Sequence, residues 1–390
     1  MSRCCRVSSS PSGFSAASPC PPPCPPRCPT AGPPTCSPPC PLAGPPPGPA
    51  SGPLHGPACR PAGNDAALGA GGLSEDAFGG MPASLLETLG NCRLCPRGCG
   101  RNRLAGEVGF CGAGALPRVA LASLHYWEEP CVSGTRGSGT VFFSHCNLRC
   151  VFCQNHVISH GGFGKDITVP ELAQVFLRLA RKGAHNINLV SPAHFLPQVA
   201  WAVHLARDQG LTIPVVYNTN AYELPESLML LEGLVDVYLP DLKYCSSEAA
   251  SRYSSARDYF TRATRAILEM HRQVGPARFS ADGIMTRGVL IRHLVLPGLV
   301  PDSKRVLDWI RANLPSDTYV SVMSQYVPMH LAAKHPEINR RLTSREYEEV
   351  LDYFDDIGLQ NGFMQDPSSQ DSSFTPRFDL SGLEGLGESG

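Results

Sequence analysis

The chain has 390 residues, of which 42% are hydrophobic and 17% charged. This balance excludes a wholly disordered protein and a coiled coil. The 38 prolines and 17 cysteines are unevenly placed, because residues 1–60 hold 19 of the prolines and eight of the cysteines. No acidic residue precedes Asp65. The sequence therefore joins a proline- and cysteine-rich head to a chain of ordinary composition that is able to form a hydrophobic core.

The charge of the chain beyond the head argues against a general role in binding nucleic acid. Residues 1–64 carry four arginines and no acidic residue, so 29 basic residues face 34 acidic ones beyond them, a net charge near −5. A duplex-binding surface is usually strongly basic. We therefore do not expect nucleic acid as a partner. No run of apolar residues is long enough to span a membrane, so we expect no membrane partner either.

The cysteines are expected in a reducing compartment, because the N-terminus lacks the apolar stretch that a secretory signal requires. We therefore predict a cytoplasmic protein whose cysteines are metal ligands, reactive thiols or small packed side chains. The acid-free head also fits an organelle transit peptide, although its prolines disfavour an amphipathic targeting helix. A mis-assigned start codon is a third explanation of the head.

Composition and patterning predict four segments. The head, residues 1–80, is expected to be disordered because prolines supply no backbone donors and little of it is apolar. Residues 81–135 are a cysteine-rich segment with a candidate metal site. Residues 136–366 form the core, and residues 367–390, rich in Ser and Gly, are expected to be a disordered tail.

Strand and helix patterns alternate through the core. A capping box from Thr168 to Glu171 predicts a helix start, and Ile187–Val190 follows that helix as a buried strand. The cycle repeats with helices over 197–208, 225–231, 247–274 and 303–314, and strands over 213–217, 235–239, 289–296 and 319–323. A second capping box, from Thr343 to Glu346, starts a last helix. About six such units predict an α/β fold, a partial (β/α)6 barrel with a parallel sheet.

In a barrel of this kind the functional residues gather where the strands end. Polar residues follow the predicted strands at these positions: Ser191, Asn218 with Thr219 and Asn220, Asp241 with Lys243, and Ser324 with Gln325.

Three cysteines follow the apolar stretch 141–143 with the spacing C-x3-C-x2-C, at Cys146, Cys150 and Cys153. Thiolates on one loop after a strand can converge on a cubane iron–sulfur cluster. Three local ligands leave a fourth iron open to a small molecule. A structural zinc site is the weaker interpretation, since it wants four protein ligands.

This segment resembles the radical S-adenosylmethionine (SAM) superfamily, and its surroundings resemble the branch related to the pyruvate formate-lyase-activating enzyme. The similarity extends from Cys92 to Gln365 and includes the stretches CRLCPRGCGRNR, CNLRCVFCQN, NTNAYE, DVYLPDLKY, IRHLVLPG and VMSQYVP. It implies the superfamily's partial barrel and a radical SAM oxidoreductase. Such an enzyme cleaves SAM reductively to a 5′-deoxyadenosyl radical, which abstracts hydrogen from a substrate.

By this resemblance, Cys146, Cys150 and Cys153 bind a 4Fe–4S cluster, and SAM chelates the fourth iron. The other residues that the resemblance places near SAM are Phe152 beside the adenine, Asn218 and Asn220 near the ribose and methionine, Asp241 and Lys243 in the Asp-Leu-Lys stretch, and Arg292 with His293 on a barrel strand. Lys243 would neutralise the SAM carboxylate. No catalytic side chain beyond the cluster ligands is expected.

The sequence departs from its relatives in two places. His145 stands before the first cluster cysteine, where many relatives have Gly, so the turn must tolerate a side chain. Where activating enzymes carry a Gly-Gly-Glu stretch for the SAM amino group, this chain reads Ser191-Pro-Ala-His194. Ser191 and His194 are therefore the candidate replacements for that contact.

A second cysteine group precedes the barrel with the spacing C-x2-C-x3-C-x11-C. Its members are Cys92, Cys95, Cys99 and Cys111. Four thiolates can hold a zinc ion or an auxiliary iron–sulfur cluster, and unliganded packed cysteines are the structural alternative. Nearby arginines would offset the negative charge of such a site. Cys131 and Cys245 stand alone and are expected to be packed thiols.

Three functions fit these patterns. The resemblance implies an activase that removes hydrogen from a backbone glycine of a glycyl radical enzyme, with a flavodoxin or ferredoxin as electron donor. The same chemistry on a small molecule or another macromolecule is the second. The third is a non-catalytic iron–sulfur or zinc scaffold whose proline-rich head recruits partners.

Overall fold

The computed structural model describes residues 74–366 and 375–386. Most of the predicted disordered head therefore lies outside the described residues. Residues 74–80, which the same prediction included, contain a 3-10 turn at Glu75–Phe78, and its Phe78 is buried in the main core. No helix in the described ranges is both long and apolar enough to cross a membrane.

Ten α-helices are present in the described ranges: α1 Ala83–Gly90, α2 Pro130–Ser133, α3 His156–Ser159, α4 Val169–Arg181, α5 Leu196–Asp208, α6 Pro225–Leu228, α7 Ser247–Ser254, α8 Tyr259–Val274, α9 Val300–Asn313 and α10 Ser344–Asp356. The strands described there are β1 Arg118–His125, β2 Ser138–Phe143, β3 Lys165–Asp166, β4 Ile187–Val190, β5 Val215–Thr219, β6 Val237–Pro240, β7 Arg278–Phe279, β8 Met285–Leu294, β9 Tyr319–Met323 and β10 Gly362–Met364.

One sheet organises these elements, in the order β10-β9-β8-β6-β5-β4-β2-β1-β3. The strands from β2 to β10 along this order are parallel to their neighbours, whereas β1 runs antiparallel to both β2 and β3. Strand β7 pairs with β8 outside this path. Six strand–helix units, from β2 to α10, precede the last parallel strand, so the predicted α/β fold with a partial barrel is confirmed.

Local sequence explains where the main helices begin. Thr168 caps α4 by accepting the backbone N–H of Glu171, and the Glu171 carboxylate accepts the N–H of Thr168 in return. Thr343 and Glu346 form the same reciprocal cap on α10. Each cap satisfies two backbone donors that a helix start would otherwise leave unpaired. Both predicted capping boxes are confirmed.

Two predicted boundaries need correction. Strand β1 belongs to the sheet although it falls inside the segment 81–135, because its backbone pairs with β2 over most of its length. Residues 375–386 of the predicted disordered tail are ordered against β1: the Leu380 N–H donates to the Ala120 carbonyl, and the Ala122 N–H donates to the Ser381 carbonyl. The tail buries Leu383 and Leu386 in the core, and this apolar burial stabilises the packing of the segment.

Strand β5 leads into a buried carboxyl group. Glu223 is 1% exposed, and it accepts a 2.8 Å hydrogen bond from the Tyr217 hydroxyl and another from the Thr219 hydroxyl. Burial raises its pKa from 4.5 to about 7, against the opposing effect of these two donors. The folded protein therefore binds a proton at Glu223 more tightly than the unfolded chain does.

Glu223 should make the protein less stable as the pH rises from about 4.5 to about 7. Over that range the carboxyl loses its proton in the unfolded chain first, which costs the folded state up to about 3 kcal/mol. We expect Glu223→Gln to remove this contribution. The unfolding free energy of the variant should therefore increase relative to that of the wild type between pH 5 and pH 8. Chemical denaturation at both pH values measures it. A difference that does not change with pH would contradict the assignment.

Candidate functional site

The loop between β2 and α3 carries the three cysteines of the C-x3-C-x2-C motif. Cys150 is buried, and Cys146 and Cys153 are half-buried. Burial and the neighbouring Cys150 thiol raise the pKa of Cys146 to about 11 and that of Cys153 to about 12. Thiols so placed ionise only if a positive charge compensates them, which is what a bound metal centre supplies.

Each sulfur of this loop has a polar neighbour. Amide and hydroxyl groups near cluster sulfurs stabilise negative charge on them and set the potential of the cluster. The contacts are Leu148 N and Asn220 Nδ2 with Cys146 Sγ, both at 3.4 Å, Ser254 Oγ with Cys150 Sγ at 3.0 Å, and Ser159 Oγ with Cys153 Sγ at 3.2 Å.

The three cysteines of this loop are one ligand short of a structural zinc site, which takes four protein ligands. In a 4Fe–4S cluster each thiolate binds a different iron, so three thiolates leave one iron for another ligand. In the described ranges, no three His, Cys, Asp or Glu side chains are grouped so as to hold one metal ion.

A network of charges lies at the carboxyl ends of β6 and β8. Lys243 Nζ is 2.7 Å from Asp241 Oδ2, and Arg292 Nε donates to Asp241 Oδ1 at 3.0 Å. Burial alone would raise the pKa of Asp241, but Lys243 and Arg292 hold it below its ordinary value. Burial alone would lower the pKa of Lys243, but Asp241 and the Cys150 thiol raise it. The site therefore keeps a cation next to the cysteine loop.

The other residues predicted for the site divide between two surroundings. Asn218 accepts a 2.9 Å hydrogen bond from Arg292 Nη2 and so joins the charge network. Asn220 donates to Asn147 Oδ1 at 2.8 Å as well as to the Cys146 sulfur, so it belongs to the cysteine loop. Phe152 packs edge-on against Tyr326, with ring centroids 5.6 Å apart.

The comparisons with known proteins decide the family. The model of the radical SAM superfamily matches residues 140–310. An uncharacterized protein of Methanocaldococcus jannaschii is 35% identical over 280 residues, which cover 69% of this chain and 75% of that protein. The chain belongs to the radical SAM superfamily. Membership implies a 4Fe–4S cluster and SAM as cofactors.

Solved structures of low identity are also similar to this radical SAM protein. Streptococcus suis SuiB bound to S-adenosylmethionine is 13% identical with a TM-score of 0.42, over 57% of this chain and 48% of SuiB. A domain of a pyruvate-formate lyase-activating enzyme from Bacteroides vulgatus is 12% identical with a TM-score of 0.34, over 44% of this chain and 92% of that domain. The chain spans under half of SuiB, and similarities this low say nothing about the substrate.

The turn before Cys146 tolerates His145 because two glycines make room for it. His145 has a left-handed φ of 73°, which costs a non-glycine residue about 1 kcal/mol. A β-carbon at Gly112 would stand 3.1 Å from its Nδ1, and one at Gly162 would stand 2.9 Å from its Cε1. Burial and nearby Arg118 lower the pKa of His145 to about 4, so it packs there as a neutral ring.

The Ser191-to-His194 stretch plays a structural part around the cysteine loop. The Ser191 N–H donates to the Asn218 carbonyl at 2.8 Å, with Ser191 in a left-handed conformation. The His194 ring is 2.7 Å from the Ser144 carbonyl, two residues before Cys146, and burial lowers its pKa to about 3. His194 therefore supports the loop as a neutral donor and does not join the charge network.

His293, which was expected to line the site with Arg292, makes no hydrogen bond to the charge network in the described ranges, although the charges of Lys243 and Asp241 act on it. Its Nδ1 is 2.7 Å from the Leu242 carbonyl, and the residue is buried. Adjacent residues of a strand point to opposite faces of the sheet. Because Arg292 faces Asp241, His293 faces the other side.

Two acidic residues that the sequence did not single out complete the charge network. Glu128 accepts hydrogen bonds from Arg292 Nη1 at 3.0 Å, Asn188 Nδ2 at 3.2 Å and Asn218 Nδ2 at 3.3 Å. Next to it, Glu129 is buried, and burial raises its pKa although Arg292 opposes the shift. The available signal was a pair of adjacent acids that two residues separate from the end of β1, a strand that was not predicted.

The cysteine-rich segment clamps the loop that carries Cys146, Cys150 and Cys153. Arg97 Nε donates to the Asn147 carbonyl at 2.9 Å, and its guanidinium lies 3.8 Å from the centre of the Phe110 ring. Arg149, from the loop itself, covers the same ring at 4.7 Å and donates to the Cys146 carbonyl at 2.7 Å. Phe110 therefore contacts both arginines and joins the segment to the loop.

Arg97→Ala should loosen this clamp. The loss of one hydrogen bond and one stacking contact is expected to cost about 1–3 kcal/mol. We expect a lower unfolding midpoint and faster loss of iron from the reconstituted protein to a chelator. Arg93→Ala, which removes an exposed arginine of the same segment, is the matched control. Equal iron release from both variants would show that Arg97 does not hold the loop.

Proposed function

We propose that Cys146, Cys150 and Cys153 hold the 4Fe–4S cluster of this chain and that SAM binds between them and the Asp241–Lys243 pair. The observation that carries this proposal is a Lys243 ammonium held next to both Asp241 and the Cys150 thiol. When bound, the cluster and SAM together supply one-electron cleavage of the S–C5′ bond, releasing methionine and a 5′-deoxyadenosyl radical that takes a hydrogen atom from the substrate.

Side chains of this site would bind and orient SAM and the cluster, and would exclude water. Lys243 stays protonated, since Asp241 raises its pKa against burial, and offers its charge to the SAM carboxylate. The Asn220 amide stabilises negative charge on the Cys146 sulfur. Phe152 is 7% exposed and forms an apolar wall with Tyr326, suited to the adenine ring and to keeping water from a radical.

The target that we propose is a backbone glycine of a partner polypeptide, as in glycyl radical enzyme activation. The sequence resemblance to the pyruvate formate-lyase-activating-enzyme-related branch supports it. The sheet also supports it, because in the described part of the chain β3 and β10 form its two ends and do not pair with each other. An incompletely closed barrel leaves an opening for a peptide loop. A cytoplasmic flavodoxin or ferredoxin would supply the electron.

A small polar molecule is the second candidate target, favoured by unpaired acceptors inside the barrel. Glu129 Oε2 and Asn188 Oδ1 are buried and lack a hydrogen-bond partner among the described residues. Buried acceptors of this kind are normally satisfied, so a ligand with amine or hydroxyl donors would complete them.

Anaerobic reconstitution with iron and sulfide, followed by reduction with SAM present, tests the chemistry. We expect 5′-deoxyadenosine from the wild type and none from Cys146→Ala, with Cys131→Ala, a lone buried thiol, as the control that keeps activity. Mass spectrometry of the nucleoside measures the outcome. A loaded wild type that binds SAM but yields no 5′-deoxyadenosine would favour the scaffold function, and cleavage by Cys146→Ala would refute the ligand assignment.

Isotope transfer separates the two targets. A partner glycyl radical enzyme deuterated at its glycine α-carbons should pass deuterium to 5′-deoxyadenosine and show a glycyl doublet by electron paramagnetic resonance. Each turnover moves one hydrogen atom from the α-carbon to C5′, so the label and the radical should appear together. If 5′-deoxyadenosine forms without deuterium and without a glycyl doublet, while a small molecule is consumed, the second target is supported instead.

A further inference from the structure

We infer that Cys92, Cys95, Cys99 and Cys111 bind a second iron–sulfur cluster, attached to the loop that carries the first. All four line one small cavity of about 20 Å³ together with Arg97. The segment thus gathers four half-buried thiols and a guanidinium around a common space, from positions that are up to nineteen residues apart in the sequence.

The backbone is shaped around these sulfurs. The Phe110 N–H donates to Cys99 Sγ at 3.4 Å, and the Ala113 N–H donates to Cys111 Sγ at 3.5 Å. A β-carbon at Gly109 would stand 2.8 Å from Cys99 Sγ, so glycine is required there. Backbone donors aimed at sulfur are what thiolates bound to metal require.

Arg97 supplies an independent sign that an anion belongs in the cavity. Its Nε is bonded to the Asn147 carbonyl, whereas its Nη2 is buried and has no hydrogen-bond partner within the described part of the chain. A buried guanidinium nitrogen without a partner is costly. Four thiolates around a metal centre carry a net negative charge, which would compensate this cation. Arg103 also lines the cavity and adds a second positive charge to its wall.

Four thiolates can close a tetrahedral zinc site, or each can bind a different iron of a 4Fe–4S cluster. We assign the cluster because Arg97 joins this segment to the loop proposed to hold the first cluster, and metal analysis separates iron from zinc.

The two centres are mechanically linked. Gly112, next to Cys111, packs against the His145 ring, and Arg97, two residues after Cys95, bonds to the carbonyl next to Cys146. Assembly of the second cluster would therefore fix the segment that clamps the first.

A variant without the first cluster isolates the second. In full-length Cys146→Ala/Cys150→Ala/Cys153→Ala protein, we expect anaerobic reconstitution to leave about four iron atoms and four sulfides per chain. A Mössbauer spectrum should show a 4Fe–4S cluster. Adding Cys95→Ala and Cys111→Ala to this variant should abolish the bound iron and the cluster spectrum, whereas adding Cys245→Ala should leave both unchanged. This control also accounts for adventitious iron on the cysteines of the head.

Three outcomes would overturn the inference: one zinc and no iron in the triple variant, no bound metal, or iron that persists when Cys95 and Cys111 are replaced. If the five-site variant does not fold, Cys95→Ala/Cys111→Ala in the otherwise native chain replaces it. Iron should then fall from about eight to about four per chain. Because the triple variant does not cleave SAM, failure here is distinct from failure of the proposed function.

Discussion

The ion pair between Arg292 and Asp241 is the interaction on which the site depends. Both side chains are 15% exposed, and taking them out of water is tolerable only because each meets an opposite charge. Arg292 ties β8 to the end of β6 through Asp241 and to the segment after β1 through Glu128. Asp241 in turn fixes Lys243, so the cation offered towards the cysteine loop is positioned by a contact between two strands.

Burial raises the pKa of all three thiols in the loop after β2, and of Cys95 and Cys111 in the cysteine-rich segment. A metal that binds such thiols must displace their protons. The Arg97–Phe110–Arg149 contact couples the two loops through packing and a hydrogen bond to the backbone. Order in one loop is consequently favoured by order in the other.

Local signals in the sequence predicted much of this fold, whereas distant pairings escaped it. The capping boxes of α4 and α10, the strand Ile187–Val190 and the cysteine spacing are local patterns, and each can be seen within a few residues. Strand β1 and the ordered tail are stabilised by hydrogen bonds such as that from Leu380 to Ala120, between residues far apart in the chain. Glu128 was missed for the same reason, since 164 residues separate it from Arg292. Strand alternation also distinguishes His293 from its neighbour Arg292, since adjacent side chains of a strand point to opposite faces.

Two half-buried arginines, Arg292 and Arg97, differ in a way that bears on what the molecule holds. Arg292 meets Asp241, Glu128 and Asn218, so its charge and its donors are satisfied by the chain itself. Arg97 satisfies Nε but leaves Nη2 unpaired within the described ranges, beside four thiols. A folded chain rarely strands a buried donor, because nothing then offsets the cost of removing it from water. The partner that would satisfy Arg97 is therefore best sought in the cavity, as an anionic centre that the cysteines themselves hold.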